Sequence, residues 1–184
     1  MLGEPNAQTR QSAVLVPLYE HDDDVFVILT RRPLHMRSHA GEVSFPGGGV
    51  EPGDPDLWAT AVREACEEIG LDPARPEPLG ELDRLFTRGS QSLVAPQVAH
   101  IGGRPAQLVP QQSEVDAILH VPISELLAPD VFREEVWSWE GRGQFPMNFF
   151  ELVGDTVWGA TAAMLRQLLS IGLGLDDDFA RRLP

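Results

Sequence analysis

The chain has 184 residues and a formal net charge of −14, and every one of its 14 basic residues is an arginine. A hydrophobic share of 42% and a charged share of 23% are those of a soluble globular protein of one domain, and no apolar run approaches the roughly 20 residues that span a bilayer. The acidic balance argues against general nucleic-acid binding, which relies on broad basic surface, and it requires that any anionic substrate be attracted by local cations or bound metal.

In chain order, Met1 to Gln11 carries neither a basic nor an apolar stretch, so no secretory leader is read there and the expected location is the cytoplasm. Ala13 to Tyr19 and Val25 to Thr30 are short, apolar and rich in β-branched residues, and they read as paired strands around the turn Glu20 to Asp24. The acidic run Asp22 to Asp24 reads as solvated turn residues rather than a cation site. Arg31 to Gly53, dense in Gly, Pro, Arg and His, reads as a loop. A helix is expected from about Pro55 to Ile69, with Asp54 as N-cap ahead of the proline and Gly70 as the stop.

Further strands are expected over Glu81 to Thr87, Ser92 to Ile101, Ala117 to Val121 and Asn148 to Val153, with a weaker signal at Val131 to Trp139. A second helix is expected over Val157 to Leu169, where Trp158, Ala162, Leu165 and Leu169 share one face. Mixed strands with two principal helices suggest an α+β sandwich, a mixed β-sheet with flanking helices. One domain is expected over residues 1–184, with loosely ordered ends near 1–10 and 173–184. The lone Cys66 reads as a small residue of an apolar helical face rather than a reactive thiol.

The chemistry concentrates in the first helix. Helical geometry places Trp58, Val62, Ala65 and Ile69 on one face and Glu64, Glu67 and Glu68 on the opposite one. Three carboxylates so close repel one another, and a hard divalent cation such as Mg²⁺ or Mn²⁺ is their natural partner. A solvated acidic face is the plainer reading of three glutamates alone. It is displaced by Phe45-Pro46-Gly47-Gly48-Gly49 just upstream, where consecutive glycines let backbone approach a phosphate or metal.

The stretch resembles the Nudix box. Arg63 to Leu71, Arg-Glu-Ala-Cys-Glu-Glu-Ile-Gly-Leu, matches the second half of that pattern throughout. The first half departs from it: counting from Gly48, Asp54 stands where the pattern has Glu, and one residue is inserted before Arg63. A second stretch, Leu29-Thr30-Arg31-Arg32, Arg37, Gly41 and Phe45-Pro46-Gly47-Gly48, resembles the signature of coenzyme A diphosphatases within the Nudix superfamily, with Pro33 where that signature prefers Ser or Ala. Glu114-Val115, Val121-Pro122-Ile123 and Trp158 to Ala162 are also similar to that subfamily.

The resemblance implies a Nudix-type α/β/α sandwich and attack of water on a diphosphate phosphorus, assisted by one to three Mg²⁺ or Mn²⁺ ions. Coenzyme A would yield 3′,5′-ADP and 4′-phosphopantetheine. Glu64 and Glu68 are the expected main metal ligands, with Glu67 as a third ligand or site-shaping carboxylate. Arg63 and Asp54 are expected to orient the site, and Glu64, Glu67 and the more distant Glu114 are the candidate catalytic carboxylates. Gly47 and Gly48 are expected at the substrate, Gly48 offering a backbone carbonyl to a metal.

Arg31, Arg32, His35, Arg37 and His39 form a local positive patch in an acidic protein. Arginine forks suit the diphosphate and 3′-phosphate of coenzyme A, so Arg31, Arg32 and Arg37 are expected to contact substrate, although pairing with Glu42 or Glu51 is the alternative. His35 and His39 read as polar loop residues. Other substrates, such as ADP-ribose, NADH or a nucleoside triphosphate, stay open, as does a domain that only binds nucleotides. The expected partner is a small nucleotide substrate, with no nucleic acid and no membrane, and the resemblance points toward a homodimer, an assembly frequent in that superfamily. A scaffold role has only the aromatics Trp137 and Trp139 in its favour.

Overall fold

The computed structural model describes residues 9–36, 39–87, 90–139 and 143–175. Its centre is β1 (Arg10–His21), which pairs antiparallel with β2 (Asp24–Arg31) and parallel with β7 (Ser92–Gly103). Asp22 and Asp23 turn the β1–β2 hairpin with φ of 51° and 61°, the left-handed pair that a tight hairpin turn demands and that Asp tolerates.

The sheet grows outward from this centre. β3 (Val43–Ser44) and β8 (Ala117–Pro122) pair with β2, and β4 (Gly47–Gly49) pairs with β1. β5 (Glu77–Glu81) and β6 (Leu85–Thr87) pair with β7. A separate antiparallel sheet holds β9 (Phe132–Trp139), β10 (Gly143–Leu152) and β11 (Asp155–Trp158). The helices are α1 (Leu57–Ile69), the single turn α2 (Ile123–Leu126) and α3 (Gly159–Gly172).

Two apolar layers follow from the period of β1. Ala13, Leu15 and Tyr19 point to one face, where Ala61, Ala65 and Ile69 of α1 pack. Val14, Val16 and Leu18 point to the other, where Leu165 and Leu169 of α3 and Phe150 of β10 pack. With both faces covered, β1 reads as a continuous apolar run rather than an alternation. Burying Ile69 alone stabilises the α1 contact by about 2 kcal/mol. The molecule is thus an α+β sandwich in which a mixed sheet lies between helices, and among the described residues no helix is long and apolar enough to cross a membrane.

Several boundaries differ from the sequence expectation. Arg31 to Gly53 is not all loop, since β3 and β4 lie within it. Glu81 to Thr87 is not one strand, because β5 ends at Glu81 and β6 starts at Leu85. The second helix starts at Gly159, two residues late, because Val157 and Trp158 belong to β11. Trp158 is therefore half-exposed at the N-cap of α3 rather than on its buried face. The first helix is capped by Asp56, whose carboxylate accepts from the Ala59 N–H at 2.8 Å, and not by Asp54. Gly70 ends it as expected, with φ 65° and its N–H donating to the Cys66 carbonyl at 3.0 Å. Cys66 is partly buried, and that burial pushes its thiol pKa up.

Candidate active site

Asp54, displaced from the cap, does something else. One oxygen accepts from Arg63 Nε at 2.9 Å, and the other accepts from Arg63 Nη2 and the Thr60 hydroxyl, each at 2.9 Å, and from the Glu51 N–H. Arg63 beside it holds the Asp54 carboxyl well below the usual carboxylate range. The same guanidinium donates to the Gly49 carbonyl at 3.0 Å, to Glu64 at 3.1 Å and to Glu67 at 3.2 Å. One arginine on α1 thereby ties together the loop before the helix, strand β4 and two of the three box glutamates.

The three glutamates do not share one environment. Glu67 is exposed, Glu64 is partly buried, and Glu68 is 5% exposed. Glu68 lies under β4, where it accepts from the Gly47 N–H at 3.1 Å, beside Glu64, whose carboxylate lies against Gly48 of the same strand. Burial pushes the Glu68 carboxyl up to about 8, with further upward push from Glu64 and Glu114, and Gly47 and Arg32 oppose it. Burial also raises the Glu64 pKa; Arg63 opposes it, and Glu67 and Glu114 add to it.

Strand β4 approaches its neighbours closely, against backbone at Gly47 and against a side-chain tip at Gly48. A Cβ on Gly48 would collide with the Glu64 carboxylate, and one on Gly47 would collide with the Ala13 and Val14 backbone. Strand β4 is thus pressed against β1 on one side and the glutamates on the other. From the far end, the segment after β7 clamps the last turn of α1, through Val109 N–H to Ile69 O at 2.9 Å and Gln111 N–H to Glu68 O at 2.8 Å. This brings Glu114, exposed in that loop, close enough for its charge to act on both Glu64 and Glu68.

The arginines of the loop divide. Arg31 is tied to Asp116 at 2.9 Å and to Asp155 at 3.1 Å, neither of which is the Glu42 or Glu51 considered from sequence. Arg32 has a buried Nε with no hydrogen-bond partner, and its charge acts on Glu68. His39 pairs with Glu42 at 2.8 Å. Arg37 lies outside the described residues. Asp116 and Asp155 had no signal in the sequence, since they meet Arg31 from 85 and 124 residues away.

Among the described residues, no three His, Cys, Asp or Glu side chains stand close enough to hold a metal ion as they are. Arg63 draws Glu64 and Glu67 toward itself, while Glu68 is held by Gly47. The donor chemistry nevertheless fits a hard divalent cation. It consists of carboxylate oxygens, and the two most desolvated of them are each repelled by neighbouring carboxylates, an imbalance that a cation would relieve.

The chain matches the family model described as NUDIX domain over residues 9–139. It is 39% identical over 163 residues to Nudix hydrolase 22, chloroplastic, of Arabidopsis thaliana, a match covering 85% of this chain and 53% of that protein. It is 34% identical over 166 residues to the protein named Uncharacterized Nudix hydrolase NudL from Pectobacterium atrosepticum, covering 89% of this chain and 83% of that one. The chain spans 53% of Nudix hydrolase 22 and 63% of another plant relative, Nudix hydrolase 15, mitochondrial, of Arabidopsis thaliana. Among solved structures, the M. smegmatis Nudix hydrolase RenU aligns with TM-score 0.63 and 14% identity over 91% of this chain and 88% of that one, a likeness of fold alone. Box residues, fold and relatives agree, and the chain belongs to the Nudix hydrolase family.

Proposed function

We propose that this protein is a metal-dependent diphosphatase acting on nucleoside diphosphate derivatives, with coenzyme A or its derivatives as substrate and 3′,5′-ADP and 4′-phosphopantetheine as products. The observation that carries the bond class is the pair Glu64 and Glu68, four residues apart on α1, desolvated and mutually repelling against the backbone of Gly47 and Gly48. These two would hold Mg²⁺ or Mn²⁺, with Glu67 and the Gly48 carbonyl as further oxygen donors. When bound, the cation would neutralise diphosphate charge and make water a stronger nucleophile.

The protein groups supply the rest. Arg63 keeps Glu64 oriented, and Arg32, whose charge acts on Glu68, is the guanidinium that would face a diphosphate oxygen. Glu114 is the proposed base. As the water oxygen bonds to one phosphorus and the bridging P–O bond breaks, Glu114 takes the water's proton and the leaving phosphate keeps the electron pair. The narrower choice of coenzyme A is supported by the stretch Leu29 to Gly48 and its similarity to coenzyme A diphosphatases. A second reading, another diphosphate such as ADP-ribose or NADH, is favoured by the engagement of Arg31 with Asp116 and Asp155, which leaves fewer free donors for a 3′-phosphate.

The cytoplasmic location and the homodimer belong to the same proposal; relatives carry the words chloroplastic and mitochondrial in their names. The test is product analysis by chromatography after incubation with coenzyme A, ADP-ribose, NADH and a nucleoside triphosphate, each with Mg²⁺, Mn²⁺ or chelator. Release of 3′,5′-ADP from coenzyme A in preference to cleavage of the others supports the narrow reading. Faster cleavage of another substrate overturns it, and no cleavage of any overturns the diphosphatase reading.

A further inference from the structure

Beyond the carboxylates, a cleft of about 540 Å³ opens between the loop ahead of β3 and the three-stranded sheet. Its walls include Glu42, Trp137, Phe149, Asp155, Thr156 and Trp158. The ring centroids of Trp137 lie 6.0 Å from Phe149 and 6.3 Å from Trp158. These rings touch one another, so they form a continuous aromatic floor rather than a slot between two plates. Trp158 is 38% exposed, an open surface for so large an indole.

The cleft is joined to the candidate active site through one residue. The Arg32 N–H donates to the Glu42 carbonyl at 3.0 Å, and the Arg32 carbonyl accepts from the Gly41 N–H at 3.1 Å. The wall that Glu42 contributes is thus held by the residue whose guanidinium acts on Glu68. Strand β11, which carries Asp155, Thr156 and Trp158, also lies against β3.

The charges on the rim narrow the occupant. An aromatic floor with free carboxylates would suit a cation. Here both carboxylates already have partners: Asp155 meets the Arg31 guanidinium at 3.1 Å, and Glu42 is hydrogen-bonded to His39 Nδ1 at 2.8 Å. Engaged in this way, they still have lone pairs that can accept from an N–H donor. A flat ring with an exocyclic amino group stacks on the floor and donates to the rim at once, whereas a plain aliphatic chain has no N–H for the rim and no flat face for the indoles.

We propose that this cleft takes the aminopurine base of the nucleotide half of the substrate, stacked on Trp158 and Trp137 with its exocyclic amine toward Asp155 or Glu42. This deepens the diphosphatase reading and rests on it for the identity of the ligand. The diphosphate would then run from the cleft past Arg32 toward Glu64 and Glu68, which fixes the orientation of the bound nucleotide.

The test compares wild type, Trp158→Phe and Trp158→Ala. Binding of AMP and of ribose 5-phosphate is followed by calorimetry with Mg²⁺ present, and KM and kcat are measured for whichever diphosphate the enzyme cuts best. Stacking of a base on one aromatic side chain is worth on the order of a tenfold change in affinity. Wild type is expected to bind AMP more tightly than ribose 5-phosphate. Trp158→Ala is expected to weaken AMP about tenfold and leave ribose 5-phosphate unchanged, with its kinetic loss in KM rather than kcat, and Trp158→Phe is expected to restore most of it. Equal weakening of both ligands, or AMP affinity indifferent to Trp158→Ala, overturns the proposal even if diphosphates are cut. Selective, Trp158-dependent AMP binding without any hydrolysis upholds the cleft and overturns the diphosphatase reading alone.

Discussion

Between the loop ahead of α1 and its middle turn, Asp54 and Arg63 meet through two hydrogen bonds, and their further contacts, to Thr60, Glu51, Gly49, Glu64 and Glu67, are all complementary. Later along the same helix, Glu68 is buried with a single backbone donor, and both it and Glu64 are pushed toward the protonated form by burial and by other carboxylates. One half of the helix is electrostatically complete and the other is short of positive charge. On the proposed reading, the complete part fixes geometry, and the deficit is where a cation and an anionic substrate would bind.

Removing the deficit is expected to have the largest effect. Glu68→Gln keeps an oxygen for the Gly47 N–H and replaces a buried group that can ionise with one that cannot, so metal-free thermal stability should hold or rise. Hydrolysis should fall by about a thousandfold, the scale of several kcal/mol of lost charge stabilisation in the transition state. Parallel loss of stability and activity would show instead that Glu68 is a structural residue.

Damage to the complete half should cost less. Arg63→Ala frees Glu64 and Glu67 and is expected to lower activity about 10- to 100-fold, as loss of a group supporting metal ligands does. Steady-state kinetics at saturating Mn²⁺ checks this, and an undiminished rate would break the distinction between the halves.

Asp54→Asn sharpens the comparison through pH. A carboxyl whose folded pKa lies below its unfolded value, near 3.9, stabilises the fold above that value and loses the contribution as pH falls toward the folded one. Asp54 is of this kind, chiefly through its bonds from Arg63. Asp54→Asn should therefore melt lower than wild type at neutral pH, with the gap closing below about pH 4. A gap independent of pH would assign the loss to something other than the ion pair.

The smallest effect is expected at Glu67, which is exposed and pairs with Arg63 across one helical turn. Glu67→Gln should change stability by no more than about 0.5 kcal/mol by thermal denaturation and lower activity less than Glu68→Gln does.

The contrast between the halves was only partly visible in the sequence. Apolar runs marked β1, β2 and β7, and Gly70 marked the end of α1, because these signals are local. Strand β4 is three glycines with no strand preference of their own, and it exists because β1 offers a partner. A helical projection put Glu64, Glu67 and Glu68 together, but it knows nothing of β4, whose packing buries Glu68 and leaves Glu67 outside. Asp54 and Asp56 flank the same proline, and only the fold decides that the second caps the helix while the first meets Arg63. The partners of Arg31 come from distant segments that no spacing links.

The most direct measurement is Mn²⁺ binding to the metal-free protein, read from the paramagnetic resonance of free Mn²⁺, for wild type, Glu64→Gln, Glu68→Gln and Asp54→Asn. Saturable binding by wild type, lost in both glutamine variants and only weakened in Asp54→Asn, is the expected result. Absence of binding by wild type, or binding indifferent to Glu64 and Glu68, would contradict the assignment of the cation to the charge-deficient half of α1.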